Sequence, residues 1–195
     1  MTGRRVLLVR RPTTAKIIFD VIFSDPQHHA QFFTVTNLNW LFILENEYHK
    51  QIMLEALKHR VNKNEITIYA FVIMPNHFHA IWQIHDGIEK EDFQASLLKF
   101  TARSILKFMK INDDKLLDQL NVKAADRNYQ VWERNALSVD LFTEEVFIQK
   151  LNYIHNNPVQ LKWRLAKLPE EYKFSSAKFY ETGIDDFSFL THFRE

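Results

Sequence analysis

Residues 65–84 read EITIYAFVIMPNHFHAIWQI. Two β-branched and aromatic runs flank a Pro75-Asn76 break, which predicts strands over Glu65–Met74 and His77–Ile84 joined as a hairpin. The first strand is almost continuously apolar at its end, as in a buried strand. In the second, side chains alternate between faces, so His77, His79, Ile81 and Gln83 share one face and Phe78, Ala80, Trp82 and Ile84 the other.

Outward from this hairpin the pattern stays orderly. Phe32–Thr36 is a further strand by composition. Leu41–Arg60 predicts a helix, with Ile52, Leu54, Ala56, Leu57 and, just beyond it, Val61 on its apolar face. Glu89–Ile111 predicts a long amphipathic helix. Residues 112–128 are polar without a secure period and read as a loop, and Val131–Leu141 holds a fourth strand. Thr143–Asn157 predicts a helix that Thr143 caps, Glu144 and Glu145 support at its positive end, and Pro158 stops. The order β-α-β-β-α-β points to an α+β fold of ferredoxin-like plan, an antiparallel sheet with helices packed on one face.

Composition excludes several classes. With 46% hydrophobic residues, 17 Phe and 4 Trp in 195 residues, the chain can fill one sizeable core. Three Gly (Gly3, Gly87, Gly183) cannot build a glycine-rich phosphate loop. The absence of Cys excludes disulfides, a thiol nucleophile and a cysteine zinc site, and fits a cytoplasmic protein. No apolar run reaches the roughly 20 residues of a membrane span. Residues 1–31 carry Arg4, Arg5, Arg10, Arg11 and Lys16 against Asp20 and Asp25, a +3 arm that leaves the body at −2. The arm, patternless apart from a short strand around Ile17–Phe23, is expected to extend outside the folded unit of residues 32–195. Its functional alternative is a basic arm that touches DNA. With a body at −2, any nucleic-acid site has to be a local patch.

Two imidazoles one pleat apart can hold a divalent cation through neutral nitrogens. The bland alternative for His77 and His79 is a pair of surface histidines on a half-exposed strand. On the 143–157 helix, Gln149, Tyr153 and Asn157 recur at i, i+4, i+8 and share a face, with Lys150 beside them. Val146, Phe147, Leu151 and Ile154 form the apolar face that packs on the sheet. Tyr153 alone reads as a residue at the core margin. Together with a metal it can be a covalent nucleophile, because the metal polarises the phosphoryl group that a weak phenol attacks. His155, two positions from Tyr153, points away and is not assigned to the metal.

The run Ile73-Met74-Pro75-Asn76-His77-Phe78-His79, followed by Tyr153-Ile154-His155-Asn156-Asn157-Pro158-Val159, resembles the REP-associated tyrosine transposases, single-tyrosine HUH enzymes of insertion sequences. The tail Pro169–Ala177 is similar to the segment that follows the family's tyrosine helix. The resemblance spans about Phe32 to the C-terminus. It implies a ferredoxin-like domain that cuts and rejoins single-stranded DNA beside a hairpin through a 5′-phosphotyrosine. In it His77 and His79 are the metal-binding pair, Asn157 is the third ligand, Tyr153 is the nucleophile, and the metal is Mg²⁺ or Mn²⁺. The family includes monomers and homodimers.

Lys99, Arg103 and Lys107 at i, i+4, i+8 form a basic stripe on the long helix that can meet DNA phosphates, or simply face solvent. Lys150 is a further candidate DNA contact. Trp132 and Trp163 can stack on bases, although core packing suits each better. Two other readings stand beside the transposase: a domesticated, catalytically silent single-stranded nucleic-acid-binding protein of the same fold, and a metal-dependent phosphodiesterase that uses water.

Overall fold

The computed structural model describes residues 29–195. The expected strand around Ile17–Phe23 lies outside the described residues. Four strands make the main sheet: β1 (Gln31–Thr36), β2 (Ile66–Ile73), β3 (His77–Ile84) and β6 (Leu137–Asp140). Their order is β2-β3-β1-β6, and every pairing is antiparallel. This is the ferredoxin-like order. Helices α1 (Glu47–Asn62) and α2 (Lys90–Ile111) make its two crossovers.

The β2–β3 hairpin forms where the sequence places it. Ile73 pairs with Phe78 and Ile66 with Ile84, with a bulge at Tyr69 between Ile68 and Ala70. The turn closes where Met74 N donates to His77 O at 2.8 Å. Alternation along β3 then sorts the faces. Phe33 and Trp82 stack at 4.6 Å between ring centres, and Trp82 meets Phe93 of α2 edge-on at 5.6 Å. Arg60 of α1 donates to Ser96 of α2 at 2.8 Å, so the two helices lie side by side on this face. Met53, Leu54, Ala56 and Leu57 of α1 are buried under them.

A third helix, α3 (Glu144–Asn156), lies on the other face, over the histidines. The one-face packing thus describes the crossover helices, and α3 covers the opposite side. Thr143 caps it as expected, its side chain accepting from Val146 N. Phe147, Leu151 and Ile154 are buried on its sheet side, whereas Val146 is exposed and does not belong to the apolar face. The segment after Pro158 runs along the outer edge of β2. Val72 bridges to Ser175 and Ile68 to Leu190 there, and α4 (Ala177–Thr182) follows.

Three local expectations are corrected. The first helix starts at Glu47 rather than Leu41, because Leu38, Ile43 and Leu44 tuck into the core on two short 3₁₀ turns before Asn46 caps the helix. Residues 112–128 are not a plain loop. They form a 3₁₀ helix over Lys115–Leu120 and a small hairpin of β4 (Asn121–Ala124) and β5 (Arg127–Tyr129). The expected strand over Val131–Leu141 is split. Trp132 only bridges to Asn37, its indole donating to Thr101 of α2 at 3.1 Å, and regular pairing with β1 resumes at Leu137. Among the described residues, no helix is long and apolar enough to cross a membrane.

Candidate active site

Two neighbouring elements deliver the site. β3 points His77 and His79 to the α3 side, and both are buried, at 5% and 4% exposure. α3 sets the Tyr153 ring 5.2 Å from that of His79, and Asn157, which caps its C-terminal end, brings Nδ2 to 3.4 Å from His77 Nε2. The two imidazole rings are 4.8 Å apart. All four residues singled out for metal and nucleophile therefore converge. They do so by packing a helix on a sheet, across 80 residues of sequence between His77 and Asn157. The histidines are not the surface pair of the bland alternative.

Hydrogen bonds set the imidazoles. His77 Nδ1 is 2.7 Å from Asn76 Oδ1. A carboxamide oxygen only accepts, so Nδ1 carries the proton and the Nε2 lone pair faces Asn157. His79 Nδ1 is 2.7 Å from Oγ1 of Thr34, its direct cross-strand partner on β1. The Phe32 ring stacks on His79 at 5.4 Å and packs edge-on against Tyr153 at 6.0 Å, holding both.

Burial holds the His77 pKa down to about 4, with the charge of Lys162 adding to the effect. Burial also lowers His79 well below the usual imidazole value, aided by His77, Lys150 and Lys162. Both rings are neutral near pH 7, the form that ligates metal. His79 Nε2 and Asn157 Oδ1 are buried without a hydrogen-bond partner. Such atoms cost about 1–3 kcal/mol each when left alone. A divalent cation would satisfy both, and the donor set of two imidazoles and a carboxamide fits one. Among the described residues no group of three or more His, Cys, Asp or Glu could hold a metal, so the third protein donor at hand is the amide of Asn157.

Tyr153 is 45% exposed, so a phenol beside the buried imidazoles faces solvent. Lys150 belongs to the site: its Nζ lies 4.8 Å over the Phe32 ring. Gln149 is exposed one turn earlier on α3. Lys99, Arg103 and Lys107 are not brought to it. They are exposed on α2, on the opposite side of the sheet. There Lys99 and Arg103 line a groove of about 660 Å³ with Arg127 and Arg134. His155 is buried against Ser176 Oγ at 2.9 Å, away from the imidazole pair, and burial lowers its pKa to about 4.

Sequence reasoning missed the partners that orient the imidazoles, Thr34 and Asn76. In the sequence Asn76 reads as a turn residue within the Ile73–His79 run, and Thr34 as one of several β-branched residues in its strand, with no sign that either meets an imidazole. Trp40 and Lys162 were missed as well. Trp40 reaches 6.5 Å from the His77 ring and Trp163 5.6 Å. Trp132 is buried in the core.

No protein-family model and no curated protein matches the chain. Among solved structures, the chain is similar to a REP-associated tyrosine transposase bound to a REP hairpin. The identity is 18%, the match covers 84% of this chain and 86% of that one, and the TM-score is 0.55. It also matches a candidate transposase of Deinococcus radiodurans R1 at 16% identity, over 66% of this chain and 90% of that one, with a TM-score of 0.45. The first of these likenesses shows that the fold is transposase-like.

Proposed function

We propose that the chain is a metal-dependent DNA strand transferase that cuts and rejoins single-stranded DNA at hairpin-flanked sites, with Tyr153 as nucleophile. One observation carries the reading. A partly exposed tyrosine stands 5.2 Å from a buried imidazole whose Nε2, like the nearby Asn157 Oδ1, has no partner. The hairpin in the similar solved structure supports the choice of DNA.

His77, His79 and Asn157 would hold Mg²⁺ or Mn²⁺, with Mn²⁺ the easier fit to imidazole, and the ion when bound polarises the phosphoryl oxygens. The chain's own residues do the rest. Asn76 and Thr34 hold the imidazole rings in place, and Asn76 also fixes the tautomer of His77. Lys150 and Lys162 attract the phosphodiester to the rim of the site. The Tyr153 phenol oxygen attacks phosphorus, its proton leaves to water, and the bond from phosphorus to the 3′ oxygen breaks. That oxygen takes up a proton and departs as a 3′-OH, leaving the 5′ phosphate on Tyr153. A 3′-OH attacking the phosphotyrosine reverses the step. The bond energy is kept throughout, so no nucleotide cofactor is required.

The test uses hairpin oligonucleotides from DNA flanking the gene, labelled at the 3′ end and incubated with protein and Mn²⁺ or Mg²⁺. A denaturant-resistant labelled band, lost with Tyr153→Phe and with chelator, is expected. Binding without an adduct would instead mark a catalytically silent nucleic-acid-binding protein. Cutting without an adduct would mark a phosphodiesterase that uses water.

A further inference from the structure

Two tryptophan rings pack near His77, Trp40 at 6.5 Å and Trp163 at 5.6 Å, and Phe42 extends the group 6.0 Å from Trp163. Trp40 is 61% exposed and Phe42 48%, large apolar faces left open beside buried polar groups. Trp40 is also held in an unusual backbone state. Asn39 and Trp40 have φ of 52° and 59°, a left-handed conformation that is rare for a bulky side chain. Three hydrogen bonds keep it there. Asn39 N donates to Glu133 Oε1 at 2.8 Å, Trp40 N to Asn37 O at 3.0 Å, and Asn76 Nδ2 to Trp40 O at 3.2 Å. Surroundings that hold an exposed tryptophan in a strained position point to a use for it. Core packing is not that use, because the ring is out in solvent.

The charge nearby names the occupant. Lys162 Nζ sits 5.6 Å over the Trp163 ring, and Lys150 flanks the histidines from α3. Flat aromatic faces interleaved with cations suit a chain of bases and phosphates. We infer that Trp40, Phe42 and Trp163 form a stacking seat for an unpaired base of single-stranded DNA, next to the phosphate brought to His77 and His79. The inference rests on the nucleic-acid reading proposed above and adds how the site grips a single strand. Stacking takes any base and excludes paired ones, so the seat selects for unpaired DNA rather than for sequence.

The test uses the full chain carrying Tyr153→Phe, so that no chemistry intervenes, and a fluorescein-labelled single-stranded oligonucleotide followed by anisotropy. Trp40→Ala is expected to weaken binding about tenfold, and Trp40→Phe to restore most of it. Affinity for a blunt duplex of the same sequence is expected to stay unchanged. Trp40 is exposed, so the fold is expected to survive its loss, which circular dichroism of the variant checks. If the parent binds single strands and a Trp40→Ala/Phe42→Ala variant binds them equally well, the seat is overturned while the nucleic-acid reading stands. If the parent binds no single strand, both fall. Equal weakening for duplex and single strand also overturns the seat, because a stacking platform for unpaired bases would spare the duplex.

Discussion

Asn76 Oδ1 lies 2.7 Å from His77 Nδ1. The same side chain donates through Nδ2 to the Trp40 carbonyl at 3.2 Å, so one amide orients a candidate metal ligand and anchors the loop that presents an aromatic ring. The turn between β2 and β3 is therefore part of the candidate site as well as a connection.

Removing this amide is expected to loosen the ligand without destroying the sheet. Asn76→Ala should weaken Mn²⁺ binding by about 10- to 100-fold, the usual effect of losing a partner that orients a ligating histidine. Titration followed by electron paramagnetic resonance reads this directly. Asn76→Asp, which keeps an acceptor at the same position, should recover much of the affinity. Equal affinity in Asn76→Ala would remove the amide from the site.

Metal should stabilise the protein. At about 100 times its Kd, a ligand bound only by the folded state adds about 2.7 kcal/mol, roughly 5 to 10 °C in Tm for a domain of this size. Melting scans with Mn²⁺ and with chelator should differ by that much. The difference should vanish in His79→Gln, and no shift in the wild type would count against the cation site.

Tyr153→Phe should abolish the covalent adduct while leaving Tm within about 2 °C, because changes at exposed positions usually stay within about 0.5 kcal/mol. A residual adduct in this variant would move the nucleophile elsewhere. A large loss of Tm would show that Tyr153 is held for packing.

The stripe on α2 should act on affinity alone. Replacing Lys99, Arg103 and Lys107 together by Ala should flatten the salt dependence of hairpin binding by about 2 to 3 units of slope. Mn²⁺ affinity should stay unchanged, since the stripe lies on the opposite side of the sheet. An unaltered slope would leave these residues as a solvated helix face.

Stability should fall with pH through the buried histidines, of which His49 is clear of the candidate site. Its Nδ1 lies 2.6 Å from Ile43 O, and burial lowers its pKa. The folded state thus takes up the proton less readily than the unfolded state, so stability is lost as pH falls below the ordinary imidazole value of about 6.5. Urea midpoints in chelator should drop between pH 8 and pH 5.5, and His49→Gln should make the drop smaller. A midpoint independent of pH would contradict it.

Much of this architecture was legible because it follows from short-range rules. The period of two in His77-Phe78-His79 puts both imidazoles on one face wherever the strand goes. The Pro75-Asn76 break makes the hairpin, and Thr143 with Pro158 bounds the tyrosine helix to within a residue of Glu144–Asn156. The period of 3.6 also places Tyr153 and Asn157 on one side of that helix. Each of these depends only on neighbours along the chain.

The rest was set by contacts between distant segments. Trp132 leaves the fourth strand because its indole meets Thr101 on α2, a pairing no local pattern records. The register of β1 on β3 decides that Thr34 faces His79, when a slip of one residue would have presented Phe33 or Val35. Lys162 and Trp163 come to His77 only because the tail folds back after Pro158. Local chemistry thus chose the candidate site residues and their faces. The packing of α3 and the tail on the sheet decided which atoms meet, because distances between remote segments depend on the whole core at once.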